Sequence, residues 1–152
     1  MKIVVLGGAG DMGSRAVEDL CRTDGVVEVT IADQNVGAAR RLAERLQATG
    51  TNIEIATVDA NVKDSLVAAM RGHDVAASAL GPFHRFETKL VSAALEAEVD
   101  YASLCDEWQP TQKVFEKFSR EAADQGRTMV IGLGTSPGAT NLAVAYAARD
   151  LD

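Results

Sequence analysis

Short apolar runs alternate with segments of helical periodicity along the whole 152-residue chain. This alternation is typical of crossover units, in which each strand of a parallel sheet is followed by a helix. Several of the runs are rich in β-branched residues, as expected for strands that are covered on both faces. We therefore predict strands at residues 2–6, 27–32, 53–58, 74–79, 99–103 and 128–133.

The segments between these strands repeat apolar residues at helical spacing. Because parallel crossovers are right-handed, few topologies remain. We expect an α/β fold, a doubly wound parallel sheet of the Rossmann type with strand order 3-2-1-4-5-6. In the predicted helix at residues 110–125, Phe115, Phe118 and Ala122 form the buried face. The predicted helices are residues 12–22, 36–48, 62–71, 85–97 and 110–125, with a last one from near Thr140.

The first strand is followed directly by the pattern G-x-G-x-x-G, formed by Gly8, Gly10 and Gly13. Because the pattern also opens a predicted helix, it has the context of a dinucleotide-binding loop. We expect Gly8 to permit a sharp turn, Gly10 to admit a diphosphate, and Gly13 to let the helix approach the strand. Gly7 is expected to serve only spacing or packing.

The start of that helix is expected to contact the diphosphate through its backbone. Its first N–H groups, including those of Asp11 and Met12, have no acceptor within the helix and carry the positive end of the helix dipole. The sequence therefore predicts an anion site at the N-terminus of the first helix.

An acid, Asp33, closes the second strand twenty residues after Gly13. A carboxylate at this position accepts hydrogen bonds from the adenosine ribose and opposes a 2′-phosphate. We therefore predict NAD as the cofactor. NADP stays open because Arg40 and Arg41 follow at a short distance.

Other cofactor contacts are predicted where the winding of the sheet reverses, between strands one and four. Leu80, Gly81 and Pro82 follow strand four and should line the dinucleotide, although Pro82 could simply end the strand and start a helix. Asp59 follows strand three on the adenine side, where capping of the next helix is an equal alternative.

No catalytic residue is assigned from the sequence. His84 is a candidate for acid–base chemistry because histidine as a residue type titrates near neutrality, but it has no evident partner along the chain. Candidates for shaping a substrate mouth follow strands five and six: Asp106, Glu107, Thr135 and Ser136.

The two cysteines, Cys21 and Cys105, lack the spacing of a metal or redox motif, so we expect both to pack in the core and expect no metal site.

A formal net charge of −7 disfavours nucleic acid and anionic membranes as partners. No apolar run approaches the roughly 20 residues that a membrane span requires, and no signal-peptide pattern is present. We therefore expect a cytoplasmic protein without nucleic-acid or membrane partners.

Five segments of the chain resemble the amino-terminal nucleotide-binding domain of the saccharopine dehydrogenase family, which includes lysine 6-dehydrogenase-like enzymes. They are VVLGGAGDMG, ADQN, ALGPFHR, DYASLCDE and GLGTSPGATNLAV, in the order of the family. The last segment is the most specific, with Gly134, Pro137, Gly138, Thr140 and Asn141 after strand six.

The resemblance implies an NAD(P)-dependent oxidoreductase that transfers hydride between nicotinamide and a carbon of an amino-acid C–N bond. It also implies that the glycine loop and Asp33 hold the cofactor. Members of the family continue into a second domain that supplies most substrate contacts. We therefore expect residues 1–152 to form the dinucleotide-binding domain of a longer enzyme, whose C-terminal domain holds the amino-acid substrate.

Three apolar residues of the predicted final helix, Leu142, Val144 and Tyr146, would then lack their usual partner. We expect the chain by itself to bind cofactor with little or no turnover, and a homodimer is possible.

Two other classes are less well supported by the sequence. A nucleotide-sensing regulatory module of the potassium-transport type would share the glycine loop and the acid, but it would not need the proline-bearing loops after strands four and six. A short-chain reductase needs a Tyr-x-x-x-Lys pair. Cys105 and Asp150 stand where that lysine would follow Tyr101 and Tyr146.

Overall fold

In a computed structural model that describes residues 1–150, the chain forms one six-stranded parallel sheet. The strands are β1 Lys2–Leu6, β2 Glu28–Asp33, β3 Asn52–Thr57, β4 Val75–Ser78, β5 Asp100–Ser103 and β6 Met129–Ile131. Their order in the sheet is β3-β2-β1-β4-β5-β6, which confirms the predicted Rossmann topology.

Each strand is followed by a helix, as the alternation of the sequence predicts. The helices are α1 Asp11–Leu20, α2 Val36–Leu46, α3 Lys63–Met70, α4 Phe83–Ala97, α5 Trp108–Asp124 and α6 Thr140–Ala147, with short helical turns at Gln47–Thr49, Thr135–Ala139 and Ala148–Asp150. The last two residues of the chain, which the predicted final helix included, lie outside the described residues. Within residues 1–150, no helix combines the length and the apolar character that a membrane crossing needs.

The core lies in two layers, one on each face of the sheet. Alternate residues of β1 point to opposite faces because side chains alternate along a strand. Ile3 and Val5 pack with the apolar faces of α1 and α2. Val4 and Leu6 pack with α3, α4 and α5. The central strands are therefore buried on both sides, and their carboxyl ends form the edge where ligands of this fold bind.

The buried face of α5 differs from the prediction at one position. Phe115 is 61% exposed, whereas Val114 is 4% exposed. Val114, Phe118 and Ala122 follow one another at intervals of four residues, so they form a continuous stripe against the core. Phe115 lies about 100° around the helix from this stripe, and it faces outward.

The end of α4 offers a stabilising substitution. Glu98 caps the helix with φ 58° and ψ 44°, a left-handed conformation that costs a residue with a Cβ about 1 kcal/mol. We expect Glu98→Gly to raise the free energy of unfolding by about 1 kcal/mol, measured by urea denaturation. Glu98→Ala keeps the strain and should leave stability nearly unchanged. Equal stabilities of the two variants would contradict this assignment.

Candidate functional site

The glycine loop leaves the carboxyl end of β1 and turns at Gly7. This residue has φ 70°, a conformation that favours glycine, and its N–H donates to the carbonyl of Ala32 at 2.8 Å. The sequence predicts this turn at Gly8 and only a spacing or packing role for Gly7. The position predicted for the turn is wrong, because the positive φ that the turn requires belongs to Gly7.

Gly8 and Gly13 are required by packing within the protein. A Cβ on Gly8 would lie 2.8 Å from the carbonyl oxygen of Val5, and one on Gly13 would overlap the carbonyl oxygen of Gly7. Gly13 therefore allows the close approach of α1 to β1 that was predicted for it. At Gly10 a Cβ would meet only the Gly7 carbonyl, at 3.3 Å, so the other side of Gly10 is open.

Three backbone amides at the start of α1 follow Gly10 and donate no hydrogen bond to an acceptor outside the helix within the described residues. The first bond within α1 is donated by Ser14 to the carbonyl of Gly10, at 2.8 Å. The N–H groups of Asp11, Met12 and Gly13 precede it and have no acceptor within the helix. Together with the helix dipole, they make the start of α1 an anion-binding surface next to Gly10.

Asp33, at the end of β2, is tied to the glycine loop. Its Oδ2 accepts a hydrogen bond from the N–H of Ala9 at 3.0 Å, and its Oδ1 accepts one from the N–H of Asn35 at 2.8 Å. Because a carboxylate has about four acceptor positions, it can still accept from a ribose. The structure thus places the predicted acid directly against the predicted loop.

A cavity of about 230 Å³ opens beside Asp33, on the side of β3. Its polar lining includes Gly7, Asp33, Gln34, Asp59 and Asn61, and Leu80 and Gly81 close it from the β4 side. Four of the sequence-predicted cofactor residues, Asp33, Asp59, Leu80 and Gly81, therefore line one cavity. Gln34 and Asn61 were not predicted, although Gln34 directly follows Asp33.

Asp59 is held in a turn that precedes α3. Its Oδ1 accepts hydrogen bonds from the backbone and side-chain N–H groups of Asn61 at 2.8 and 2.9 Å, and these bonds lower the pKa of the Asp59 carboxyl. The residue that caps α3 is Val62. Asp59 lies four residues before Lys63, the first residue of α3, and its carboxylate accepts its hydrogen bonds from Asn61. The alternative that Asp59 caps this helix is therefore wrong.

A second cavity of about 350 Å³ lies between the loops that follow β4, β5 and β6. Ala79 lines both cavities, so the two share the crevice beyond β1 and β4. The second cavity brings together five residues from four segments: Met12, Phe83, Asp106, Thr135 and Ser136.

Pro82 is exposed and caps α4, which is the alternative that the sequence left open for it.

His84 has a partner that the sequence did not reveal. Its Nδ1 lies 3.2 Å from Oε2 of Glu107, which caps α5. The two residues are 23 positions apart and follow adjacent strands. His84 and Glu107 thus form one pair at the carboxyl edge of the sheet, whereas the sequence analysis treated them separately.

Beneath the loops lies a buried polar cluster that the sequence analysis missed. Glu87 of α4 has no exposed surface, and it accepts hydrogen bonds from the hydroxyls of Tyr101 at 3.2 Å and Ser103 at 3.1 Å. Burial raises the pKa of Glu87 to about 7. The sequence does carry a signal for the burial of Glu87. This acid lies three residues before Leu90 and four before Val91, so it falls on the same helix face as these apolar residues of α4.

Both cysteines are buried, as predicted, with exposed fractions of 2% for Cys21 and 1% for Cys105. Burial raises the pKa of each thiol, so both stay protonated and unreactive near neutral pH. Within residues 1–150, no three His, Cys, Asp or Glu side chains are grouped so that they could hold a metal ion.

Comparison with protein families gives one match that covers nearly the whole chain. Residues 3–148 match the family described as saccharopine dehydrogenase NADP binding domain. A putative trans-acting enoyl reductase of Mycobacterium tuberculosis is 28% identical over 142 residues, which are 93% of this chain and 34% of that protein. A trans-acting enoyl reductase of Mycobacterium ulcerans is 24% identical over 133 residues, 88% of this chain and 32% of that protein. The chain thus spans about a third of the length of these relatives.

Solved structures share the fold. Apo saccharopine dehydrogenase (L-Glu forming) from Saccharomyces cerevisiae superposes with a TM-score of 0.79 at 19% identity, covering 99% of this chain and 31% of that one. The triphenylmethane reductase of Citrobacter sp., complexed with NADP(H), superposes with a TM-score of 0.62 at 19% identity. The match covers 86% of this chain and 48% of that one.

Proposed function

Because the chain belongs to the family of saccharopine dehydrogenase NADP-binding domains, we propose that it binds NAD(P) across the glycine loop and serves an amino-acid dehydrogenase. The observation that supports this most directly is the open side of Gly10 beside three free amides of α1. A diphosphate fits a surface of this kind because no Cβ fills it and the amides of Asp11, Met12 and Gly13 are donors. The proposed cofactor residues are Gly8, Gly10, Asp11, Met12, Gly13, Asp33, Asp59, Leu80, Gly81 and Pro82.

The two cavities indicate how the dinucleotide would lie. The cavity beside Asp33 is on the side of β2 and β3, where this topology holds adenosine. The cavity beside Phe83 and Asp106 is on the side of β5 and β6, where it holds nicotinamide. Gly7 of the glycine loop lines the first cavity, and Met12 at the start of α1 lines the second. A dinucleotide that spans both cavities is therefore proposed to pass its diphosphate over Gly10.

Bound NAD(P) supplies hydride chemistry, and the chain supplies orientation. Asp106, Thr135 and Ser136 give the second cavity hydrogen-bonding groups and one negative charge. These groups suit a substrate with an ammonium or secondary amine next to the reacting carbon, which supports an amino-acid C–N bond as the site of oxidation.

A second candidate reaction is the reduction of the C=C bond of an enoyl thioester. The enoyl reductase names of the mycobacterial relatives favour it. Assays of saccharopine or lysine with NAD(P)⁺, and of a crotonyl thioester with NAD(P)H, distinguish the two reactions. Nicotinamide absorbance at 340 nm reports both. Turnover of the thioester alone would overturn the amino-acid assignment.

We propose that the rest of the substrate site comes from another domain or another copy of the chain. Leu142, Val144 and Tyr146 of α6 are 72%, 68% and 73% exposed. Leu142 and Tyr146 share one face of the helix and Val144 lies on the opposite face, so α6 exposes apolar side chains on both sides. Positioning of the substrate carbon is a large share of catalysis, so the chain alone should show little turnover. Robust turnover by a chain that sedimentation shows to be monomeric would contradict this proposal.

Asp33 is predicted to make NAD the preferred dinucleotide, because its charge opposes a 2′-phosphate. Arg41 would favour NADP instead, because a guanidinium attracts a 2′-phosphate. Its Nη1 lies near the first turn of α2, 3.6 Å from the position that a Cβ on Gly37 would occupy. We expect Asp33→Ser to shift the ratio of affinities toward NADP by about tenfold, or about 1.4 kcal/mol, in calorimetric titrations with both dinucleotides. Asp24→Ser, which removes an exposed acid elsewhere, is the control. A wild-type chain that prefers NADP would contradict the role of Asp33.

A further inference from the structure

We propose that His84 and Glu107 form a proton-transfer pair at the nicotinamide end of the site; this inference rests on the proposed function. His84 lies in the first turn of α4, and Glu107 is the residue that caps α5. The two helices follow β4 and β5, which are neighbours in the sheet. The pair therefore stands at the carboxyl edge, on the side where the nicotinamide is proposed to lie.

The geometry fixes which ring nitrogen is available. Nδ1 of His84 lies 3.3 Å from Oε1 and 3.2 Å from Oε2 of Glu107. A carboxylate can only accept, so Nδ1 carries a proton in this pair. In the neutral ring Nε2 is then the acceptor. The His84 side chain is 66% exposed, so a ligand can reach that nitrogen.

The other histidine in the chain shows the contrast. His73 has Nε2 at 2.8 Å from the hydroxyl of Thr30 and Nδ1 at 3.0 Å from the carbonyl of Met70. Both of its ring nitrogens are therefore engaged by the protein. In His84, by contrast, Nδ1 is oriented by a carboxylate, and Nε2 accepts no hydrogen bond within the described residues. This arrangement is typical of a histidine that acts as an acid or a base.

The sequence neighbours of the pair connect it to the second cavity. Phe83 and Asp106, which directly precede His84 and Glu107, both line that cavity. Thr135 and Ser136 line it from the loop beyond β6. From these neighbours we infer that the pair stands beside the cavity in which hydride transfer is proposed to occur.

Either proposed reaction needs one proton with each hydride. In reduction, hydride bonds to a carbon of the substrate, and the neighbouring nitrogen or carbon takes a proton from Nε2 of the imidazolium. The electrons of that N–H bond stay on Nε2, and the ring becomes neutral until solvent reprotonates it. In oxidation, Nε2 takes the proton instead. Glu107 stabilises the charged ring in both directions.

Nuclear magnetic resonance of the chain with ¹⁵N-labelled histidine tests the pair, because only two histidines contribute. At a pH where both rings are neutral, we expect His84 to carry its proton on Nδ1. Glu107→Ala should move that proton to Nε2, while Glu116→Ala, which removes an exposed acid of α5, should not. A His84 tautomer that is the same with and without Glu107 would overturn the proposal.

A ligand titration tests the position of the pair. NAD⁺ should shift the His84 ring signals and leave those of His73 unchanged. ADP, which lacks nicotinamide, should shift the amides of Gly10 to Gly13 but not His84. NAD⁺ that shifts those amides and leaves His84 unmoved would overturn this inference while sparing the proposed function. If neither ligand shifts the amides, both fail.

Discussion

Gly10→Val is expected to weaken dinucleotide binding strongly while the chain stays folded. The backbone at Gly10 has φ −76° and ψ 175°, which any residue adopts, and a Cβ there meets only the Gly7 carbonyl. The valine methyl groups would occupy the space in which the diphosphate contacts the α1 amides. We expect calorimetry to show a loss of affinity of at least about tenfold, or 1.4 kcal/mol, with a melting temperature close to that of the wild type.

Gly13→Ala provides the contrast for this prediction. Its Cβ would overlap the backbone of Gly7, and backbone cannot move aside as the end of a side chain can. We therefore expect Gly13→Ala to lower the free energy of unfolding by about 3 kcal/mol. If Gly10→Val destabilised the fold as much as Gly13→Ala, or if it bound dinucleotide normally, the proposed path of the diphosphate would be wrong.

The second large effect is expected at Glu87 and depends on pH. Its carboxyl has a pKa of about 7 in the folded chain against an ordinary value of 4.5, because burial disfavours the charged form. The folded state therefore binds more protons than the unfolded state between these values, and stability falls as the pH rises from about 4.5 to 7. The shift corresponds to about 3 kcal/mol. Glu87→Gln cannot ionise, so it should be more stable than the wild type at pH 8.

The comparison is specific because nearby groups do not titrate in that range. Tyr101 and Cys105 face Glu87, and burial raises the pKa of each above its ordinary value, away from the range in which Glu87 ionises. Urea unfolding of wild type and Glu87→Gln from pH 5 to pH 8 should give curves that diverge as the pH rises. Glu116→Gln, at an exposed site, should follow the wild type. Parallel curves for wild type and Glu87→Gln would contradict the assignment.

Glu87 also connects the core to the site. Ser103 bonds Glu87 through its hydroxyl, and the same oxygen accepts a hydrogen bond from the N–H of Cys105 at 3.1 Å. On the neighbouring strand, the hydroxyl of Ser78 accepts one from the N–H of Leu80 at 3.3 Å. These bonds hold the beginnings of the two loops that carry His84 and Glu107.

The sheet could be predicted from the sequence because its signals are local. Apolar runs give the strands, helical periodicity gives the crossovers, and the handedness of the crossovers gives the order. The glycine loop and Asp33 were predictable for the same reason: their spacing follows from a strand, a turn and a helix of ordinary length. The structure places Asp33 against Ala9 of that loop.

The remaining features depend on information that sequence patterns do not carry. A glycine can be required for its backbone angle or for the space it leaves, and only the structure assigns the angle to Gly7 and the space to Gly8. The pairing of His84 with Glu107 depends on two loops that meet at the edge of the sheet. Burial of Glu87 depends on hydroxyls from β5 that offset part of its desolvation.

The central claim is that the free amides at the start of α1 hold the diphosphate of NAD(P). A crystal structure of the chain grown with NAD⁺ tests it most directly. We predict the diphosphate within hydrogen-bond distance of the N–H groups of Asp11 to Gly13, adenosine beside Asp33, and nicotinamide in the cavity lined by Asp106 and Thr135. A dinucleotide bound elsewhere, or a glycine loop that stays empty at saturating NAD⁺ and NADP⁺, would contradict the account.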